Sequence, residues 1–233
     1  MWLAPLLLAA MVIGDADKDA EKAFQDLSST LTQAKSLACT FELKMDSPQG
    51  KGSFKGRLVV ASGNKVRIEM SGEGGGKTTD LLVVSDGTKA VTVQDKKVQP
   101  ARDTPENMGK HVLTGLARGG IFVPMYLAVE TSVDGEKPRK VDLAESLKVS
   151  GLKLGKKDKV DGKEAQALEY LLTVASAGEL KLNTTVWVDA KTRVPLKRLL
   201  TAKIGDQALS VTETYSKVEM DEKIDPRTFE LPK

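Results

Sequence analysis

Cys39-Thr40-Phe41-Glu42-Leu43-Lys44-Met45-Asp46 alternates apolar and polar side chains without a break. A strand sends successive side chains to opposite faces, so this stretch predicts a half-buried strand with Cys39, Phe41, Leu43 and Met45 turned inward. Just upstream the period is different. Ala20, Ala23, Phe24, Leu27, Leu31 and Ala34 recur in steps of three and four, while Lys18, Glu21, Lys22 and Gln33 fall elsewhere. That spacing predicts one amphipathic helix over residues 17–37. The helix needs an apolar surface to lie on, and the strands that follow supply one.

Downstream, the period of two persists. Phe54, Leu58 and Val60 share one parity, and Val66, Ile68 and Met70 alternate with Arg67 and Glu69. Leu81 to Val84 make a short apolar strand, and Asp86-Gly87 is a hairpin turn before Val91 and Val93. Residues 104–133 break the rhythm. Thr104 is placed to cap a helix opened by Pro105, with Met108, Val112, Leu113 and Leu116 at helical spacing and Gly119-Gly120 as its end. The uncharged run from Ile121 to Val129 follows, with Pro124 suited to the first turn of a second short helix. Alternation then returns in Leu168, Tyr170, Leu172 and Val174. It continues in Leu180, Leu182, Val186 and Val188, with Trp187 on the opposite face, and in Leu209, Val211 and Tyr215. Asp225 is placed to cap one turn opened by Pro226, leaving Phe229 and Leu231 as apolar pins. The pattern contains no internal repeat and no long linker. It predicts one mainly β domain over residues 17–233, with a helical insert at 104–133.

Composition excludes several functions. The 233 residues carry 35 Lys+Arg against 32 Asp+Glu, a net charge of +3 that is spread through the chain, so no basic block tracks a phosphate backbone. Aromatics at 4% leave no stacking platform for single-stranded nucleic acid. One His and one Cys cannot supply a structural zinc site, and no metal or cofactor is expected. A nucleophile–imidazole enzyme would have to use His111, and no carboxylate or nucleophile is fixed beside it by spacing. Gly72-Glu73-Gly74-Gly75-Gly76-Lys77-Thr78 imitates part of a phosphate-binding loop. However, Ser71 stands where the first glycine belongs, and a strand rather than a helix follows.

Residues 2–13 form an uncharged apolar run too short to span a bilayer comfortably, followed by Gly14-Asp15-Ala16. Small residues at 14 and 16 fit a signal-peptidase site, so residues 1–16 are expected to be a cleaved signal peptide and Asp17 the first mature residue. No Cys follows the run, so lipid anchoring is not expected, and the product is expected to be periplasmic.

The order of signal-like run, long helix, antiparallel meander, apolar helical insert and further strands resembles the LolA/LolB-type outer-membrane lipoprotein carrier superfamily. The local likenesses are Val186-Trp187-Val188-Asp189 with Thr192-Arg193-Val194-Pro195-Leu196, then Thr212-Glu213-Thr214-Tyr215, then Asp225-Pro226 through Leu231-Pro232. The resemblance implies an α+β fold: an incomplete, curved antiparallel β-barrel with an N-terminal helix and a helical lid or plug on the concave face. It implies a non-enzymatic periplasmic carrier or chaperone that holds acyl chains of a lipoprotein or another lipid for transfer to the outer membrane. Expected partners are that acylated lipoprotein or lipid, an inner-membrane release complex and an outer-membrane acceptor, with the protein itself a monomer. The implied apolar lining is Phe41, Leu43, Ile68, Met70, Val112, Leu113, Leu116, Phe122, Met125, Tyr126, Leu182 and Val186. In the family a strand arginine hydrogen-bonds to the lid, and Arg57 and Arg67 are the candidates. The alternatives are a lipid- or lipoprotein-sensing envelope regulator, a secreted hydrolase, and a structural protein whose core is simply filled.

Overall fold

The computed structural model describes residues 15–48, 50–122, 143–175, 179–204 and 206–232. Residues 1–14 of the expected signal peptide, with Pro124, Met125 and Tyr126, lie outside them, while its last two residues, Asp15 and Ala16, are described and helical. In the described residues twelve strands form one antiparallel sheet. Strands β1 (Ser36–Ser47), β2 (Gly50–Ala61), β3 (Lys65–Gly74), β4 (Lys77–Asp86) and β5 (Lys89–Gln94) step outward one after another. The short β6 (Lys97–Val98) and β7 (Arg102–Asp103) both pair with β5. From the other edge, β8 (Leu147–Val160), β9 (Lys163–Val174), β10 (Leu180–Asp189), β11 (Pro195–Ile204) and β12 (Gln207–Met220) step back, and β12 pairs with β1. The sheet is open, ending at β6 and β8. The antiparallel meander is what the alternation predicts, and the open half-barrel is what the family resemblance implies.

This strand order dictates where the insert goes. The chain leaves the sheet at one edge and re-enters at the other, so the connection must cross a face. It does so through α2 (Met108–Arg118), which packs beside α1 (Asp15–Thr32) on the same side of the sheet. Ala20, Leu27 and Leu31 of α1 are buried there, with Ala23 and Phe24 packed against the same core. The stripe is the one read from the sequence, but the helix stops at Thr32 rather than residue 37. Two side-chain and backbone bonds pull the following residues toward the end of β12: Lys35 N donates to Asp221 Oδ1 (2.7 Å) and Ser36 Oγ donates to Glu222 O (2.7 Å).

The start of α2 also differs from expectation. Thr104 does not cap it: its backbone N–H donates to Thr88 O, and its hydroxyl bonds that of Ser85 at 2.8 Å, so it belongs to the sheet edge. The helix begins at Met108 after Asn107 in a left-handed conformation. Its cap comes from a distant turn: Asn64 Oδ1 accepts from Gly109 N at 2.9 Å, and Asn64 Nδ2 donates to Pro105 O at 2.8 Å. Asn64 stands at φ 65° in the β2–β3 turn. Asn64→Gly keeps that backbone available and removes the cap, so it is expected to cost about 1 kcal/mol, read as a lower urea midpoint at unchanged slope.

The opposite face carries a smaller cluster of Ala38, Val59 and Phe229, with Ala61 and Ile224 against it. Phe229 sits in the 3-10 turn Pro226–Phe229, capped by Asp225 accepting from Arg227 N. The turn at Gly75-Gly76 joins β3 to β4 directly, so strand rather than helix follows Lys77-Thr78 and the phosphate-loop geometry is absent there.

Candidate functional site

The inner face of the sheet is apolar from β3 round to β9, because each strand contributes its inward parity. Ten of the twelve proposed lining residues are described, and all ten fall in one cluster. Phe41, Leu43, Met70, Leu113, Leu116, Leu182 and Val186 are buried in it, and Ile68, Val112 and Phe122 pack against it half-buried. Two glycines let the rings of β1 and β2 lie flat on this face. A Cβ on Gly56 would collide with the Phe41 ring, and one on Gly72 with the Phe54 ring.

Set into this apolar face are four polar side chains from three adjoining parts of the sheet: Tyr170 on β9, Arg198 on β11, and Glu213 and Tyr215 on β12. Arg198 and Glu213 are fully buried and are direct cross-strand partners. Arg198, Tyr170 and Glu213 are directed at one feature, the end of α2 and the reversal that follows it, and Tyr215 bonds Glu213. Arg198 Nη2 donates to Leu116 O (2.9 Å) and Ala117 O (3.1 Å), and Tyr170 Oη donates to Arg118 O (2.6 Å). Past Gly119-Gly120, Glu213 accepts from Ile121 N (3.2 Å) and Phe122 N (2.6 Å), and also from the Tyr215 hydroxyl. A cation on the last carbonyls of a helix and an anion on freshly exposed N–H groups each match the local dipole. Arg118 Nη1 adds a bond to Leu147 O on β8.

The electrostatics follow from burial. Desolvation pushes the Glu213 carboxyl above its ordinary value, opposed by the Arg198 charge and by the bonds from Tyr215, Phe122 and Ile121. Desolvation raises both tyrosines, and the neighbouring Glu213 charge adds to the effect. Cys39, on the inward parity of β1, is pushed up to about 12 chiefly by burial. The thiolate is therefore scarce at neutral pH, and Cys39 in the folded protein is expected to resist Ellman's reagent at pH 8 and to react promptly in urea.

Neither candidate gating arginine reaches the helix. Arg57 is exposed, opposite Thr40 and Glu69 on the outward parity. Arg67 bonds to Glu69 and donates Nη1 to Thr228 O (3.1 Å), which ties it to the C-terminal turn. Both sit on the face away from α2 because they share the parity of Val59, not that of Leu58 and Ile68. The arginine that holds α2 is Arg198, a residue not singled out from the sequence. It had a signal: Leu196, Leu200 and Ala202 set the buried parity of β11 and Arg198 lies on it, as Glu213 lies between Val211 and Tyr215 on β12. A charge on the apolar parity of two adjacent strands points to a buried polar device. His111 is half-buried on α2. Among the described residues no group of three or more His, Cys, Asp or Glu is placed to hold a metal ion, and no helix is long and apolar enough to cross a membrane.

No curated protein matches the chain by sequence. Among solved structures, LprF from Mycobacterium bovis aligns over 91% of this chain and 97% of its own, with a TM-score of 0.52 and 10% identity. The Mycobacterium tuberculosis lipoprotein LppX aligns over 90% and 98%, with a TM-score of 0.50 and 12% identity. A LolA superfamily protein from Nitrosomonas europaea aligns over 91% and 97%, with a TM-score of 0.36 and 10% identity. At these identities the likeness to LprF and LppX is one of fold alone, an open antiparallel sheet with helices on one face. Residues 20–232 match the family model described as predicted periplasmic protein (DUF2092), and the chain belongs to that family.

Proposed function

We propose that this protein is a periplasmic lipid or lipoprotein carrier, which shields acyl chains between the inner face of its sheet and the helices that cross it. The observation that carries the reading is the single apolar cluster shared by that face, α1 and α2. Each CH₂ group withdrawn from water is worth roughly 0.8 kcal/mol, so a multi-chain lipid cannot cross an aqueous compartment unshielded. A carrier needs an apolar surface, a cover and a way to release, and it needs no catalyst. Buried polar groups that fix the cover to the sheet are the other requirement, and Arg198 and Glu213 meet it.

Cleavage of a signal peptide after Ala16 belongs to the same proposal, as do transfer to the outer membrane and the membrane partners named above. Native mass spectrometry of protein purified from its own envelope tests the binding itself. The carrier reading expects adducts with the masses of acylated species, lost on extraction with organic solvent. Bare protein under conditions that retain lipid on a known carrier would count against it.

A further inference from the structure

The apolar inner face holds one cation whose hydrogen-bonding capacity is only partly used. Arg198 is fully buried on β11, with Val186 of β10 and Glu213 of β12 as its direct cross-strand neighbours and the end of α2 above it. Its Nη2 spends both hydrogens on the helix, on Leu116 O and Ala117 O. Nε and Nη1 are buried as well and meet no acceptor among the described residues. That leaves three N–H groups of one guanidinium unpaired among apolar side chains. The Glu213 oxygens beside them are already taken by Ile121 N, Phe122 N and the Tyr215 hydroxyl. A buried donor left unmade costs about 1–3 kcal/mol, and more on a charged group, so native proteins keep few of them. We infer that these donors are a polar subsite within the apolar face, and that they take the neutral carbonyl oxygen of an ester-linked acyl chain lying against Val186 and Leu116.

Charge and geometry both select a neutral acceptor. Both oxygens of Glu213 accept hydrogen bonds, the pattern of a carboxylate, so Glu213 balances the charge of Arg198. A ligand carboxylate would bring a second anion into the same apolar space with no second cation to meet it, and burying an unpaired charge is costly. A carbonyl supplies the missing acceptor and adds no charge. The geometry agrees. A guanidinium grips a carboxylate with two parallel N–H bonds from one edge, and Nη2 belongs to both of its two-donor edges. With Nη2 held by the helix, Nε and Nη1 are left to bond single oxygens separately. A plain alkyl chain fills the same space and leaves these N–H groups unpaired. The subsite therefore sorts acyl from alkyl lipids. This rests on the carrier reading and adds to it the chemical group by which the cargo is recognised.

A competition between two lipids that differ only in their carbonyls tests it. The full chain is loaded from vesicles holding equal amounts of dipalmitoyl phosphatidylcholine and its dihexadecyl ether analogue, and the bound lipids are counted by native mass spectrometry. The ester is expected in excess over the ether by at least about tenfold, the worth of one hydrogen bond to a charged donor. In a single-chain pair at pH 8, methyl palmitate is expected to load in preference to palmitate. Arg198→Lys keeps the charge opposite Glu213 and a donor for the helix carbonyls but lacks the further N–H groups, so its ester-to-ether ratio should fall toward one. A measurement on the unaltered protein stands beside this variant: the Nε–H resonance of Arg198 should shift on loading with the ester lipid and not with the ether. Equal loading of ester and ether would overturn the inference, as expected if the donors are met by a buried water. So would preference for palmitate, or an ester preference that survives Arg198→Lys. Binding of neither lipid is a different result: it removes the carrier reading and this subsite with it.

Discussion

Arg198→Met is expected to destabilise the protein by roughly 3–5 kcal/mol at neutral pH, the usual cost of stripping one charge from a buried opposite-charge arrangement. Methionine fills much of the space, so the loss is electrostatic rather than a cavity. Two effects combine. Leu116 O and Ala117 O lose their donor, and Glu213 loses the charge that makes its ionised form tolerable. The second effect has a pH signature. With its pKa raised above the unfolded value, Glu213 favours the folded state when protonated, and that contribution is lost as pH rises through the folded value. Without Arg198 the folded value moves further up, so the variant should recover part of its deficit on acidification from pH 7 toward pH 5. The double variant Arg198→Met with Glu213→Gln should lose less than the sum of the two single changes, since neither charge is then left alone. Chemical denaturation of the four proteins at both pH values checks this. Additive losses with no pH dependence would mean that the two residues act separately.

Gly120→Ala is the second large effect, expected at about 3 kcal/mol: part is the left-handed backbone and the rest the displacement of Glu213 from its two amides. Gly63→Ala is the matched control. Gly63 has nearly the same φ, +79° against +78°, but a Cβ there meets nothing within 4 Å. The control should cost only the backbone part, roughly 1–2 kcal/mol. Equal losses in the two variants would show that Glu213 does not depend on the open space at Gly120.

The same region shows which parts of the molecule are legible in the sequence. Alternation in Cys39 to Met45 and in Leu168 to Val174 is a local signal, because burial on one face of a strand forces every second residue to be apolar. The stripe on α1 is legible for the same reason at a different period. Its last turn is not, because Lys35 and Ser36 are claimed by Asp221 and Glu222, almost two hundred residues away. The start of α2 is misread for a similar cause: Thr104-Pro105 has the local form of a cap, but Ser85 and Thr88 hold Thr104 and Asn64 caps the helix instead. The arginine that bonds α2 is hardest. Arg57 and Arg67 stand on early strands, as the family resemblance suggests, and their parity already placed them away from Ile68. Arg198 breaks the apolar parity of its own strand, and that exception was the better guide.

The lining is legible at the level of the cluster: the ten described residues share one core because periodicity assigns each to a face and topology folds those faces together. Which of them touch a ligand is a matter of opening, and a packed cluster is compatible with both a carrier and a filled core. Exchange separates the two, since local opening of a cover costs less than global unfolding and a bound acyl chain would supply the missing contacts. Amide exchange of the full chain at constant pH, with and without a diacylated lipopeptide, is therefore the most direct test. The carrier account predicts that the amides at the end of α2, Leu116 to Phe122, exchange faster than those of Leu182 to Val188 in the free protein and slow on addition of the lipopeptide. Protection at Leu116 to Phe122 equal to that of β10 in the free protein, unchanged by the lipopeptide, would contradict it and leave a structural protein with a filled core.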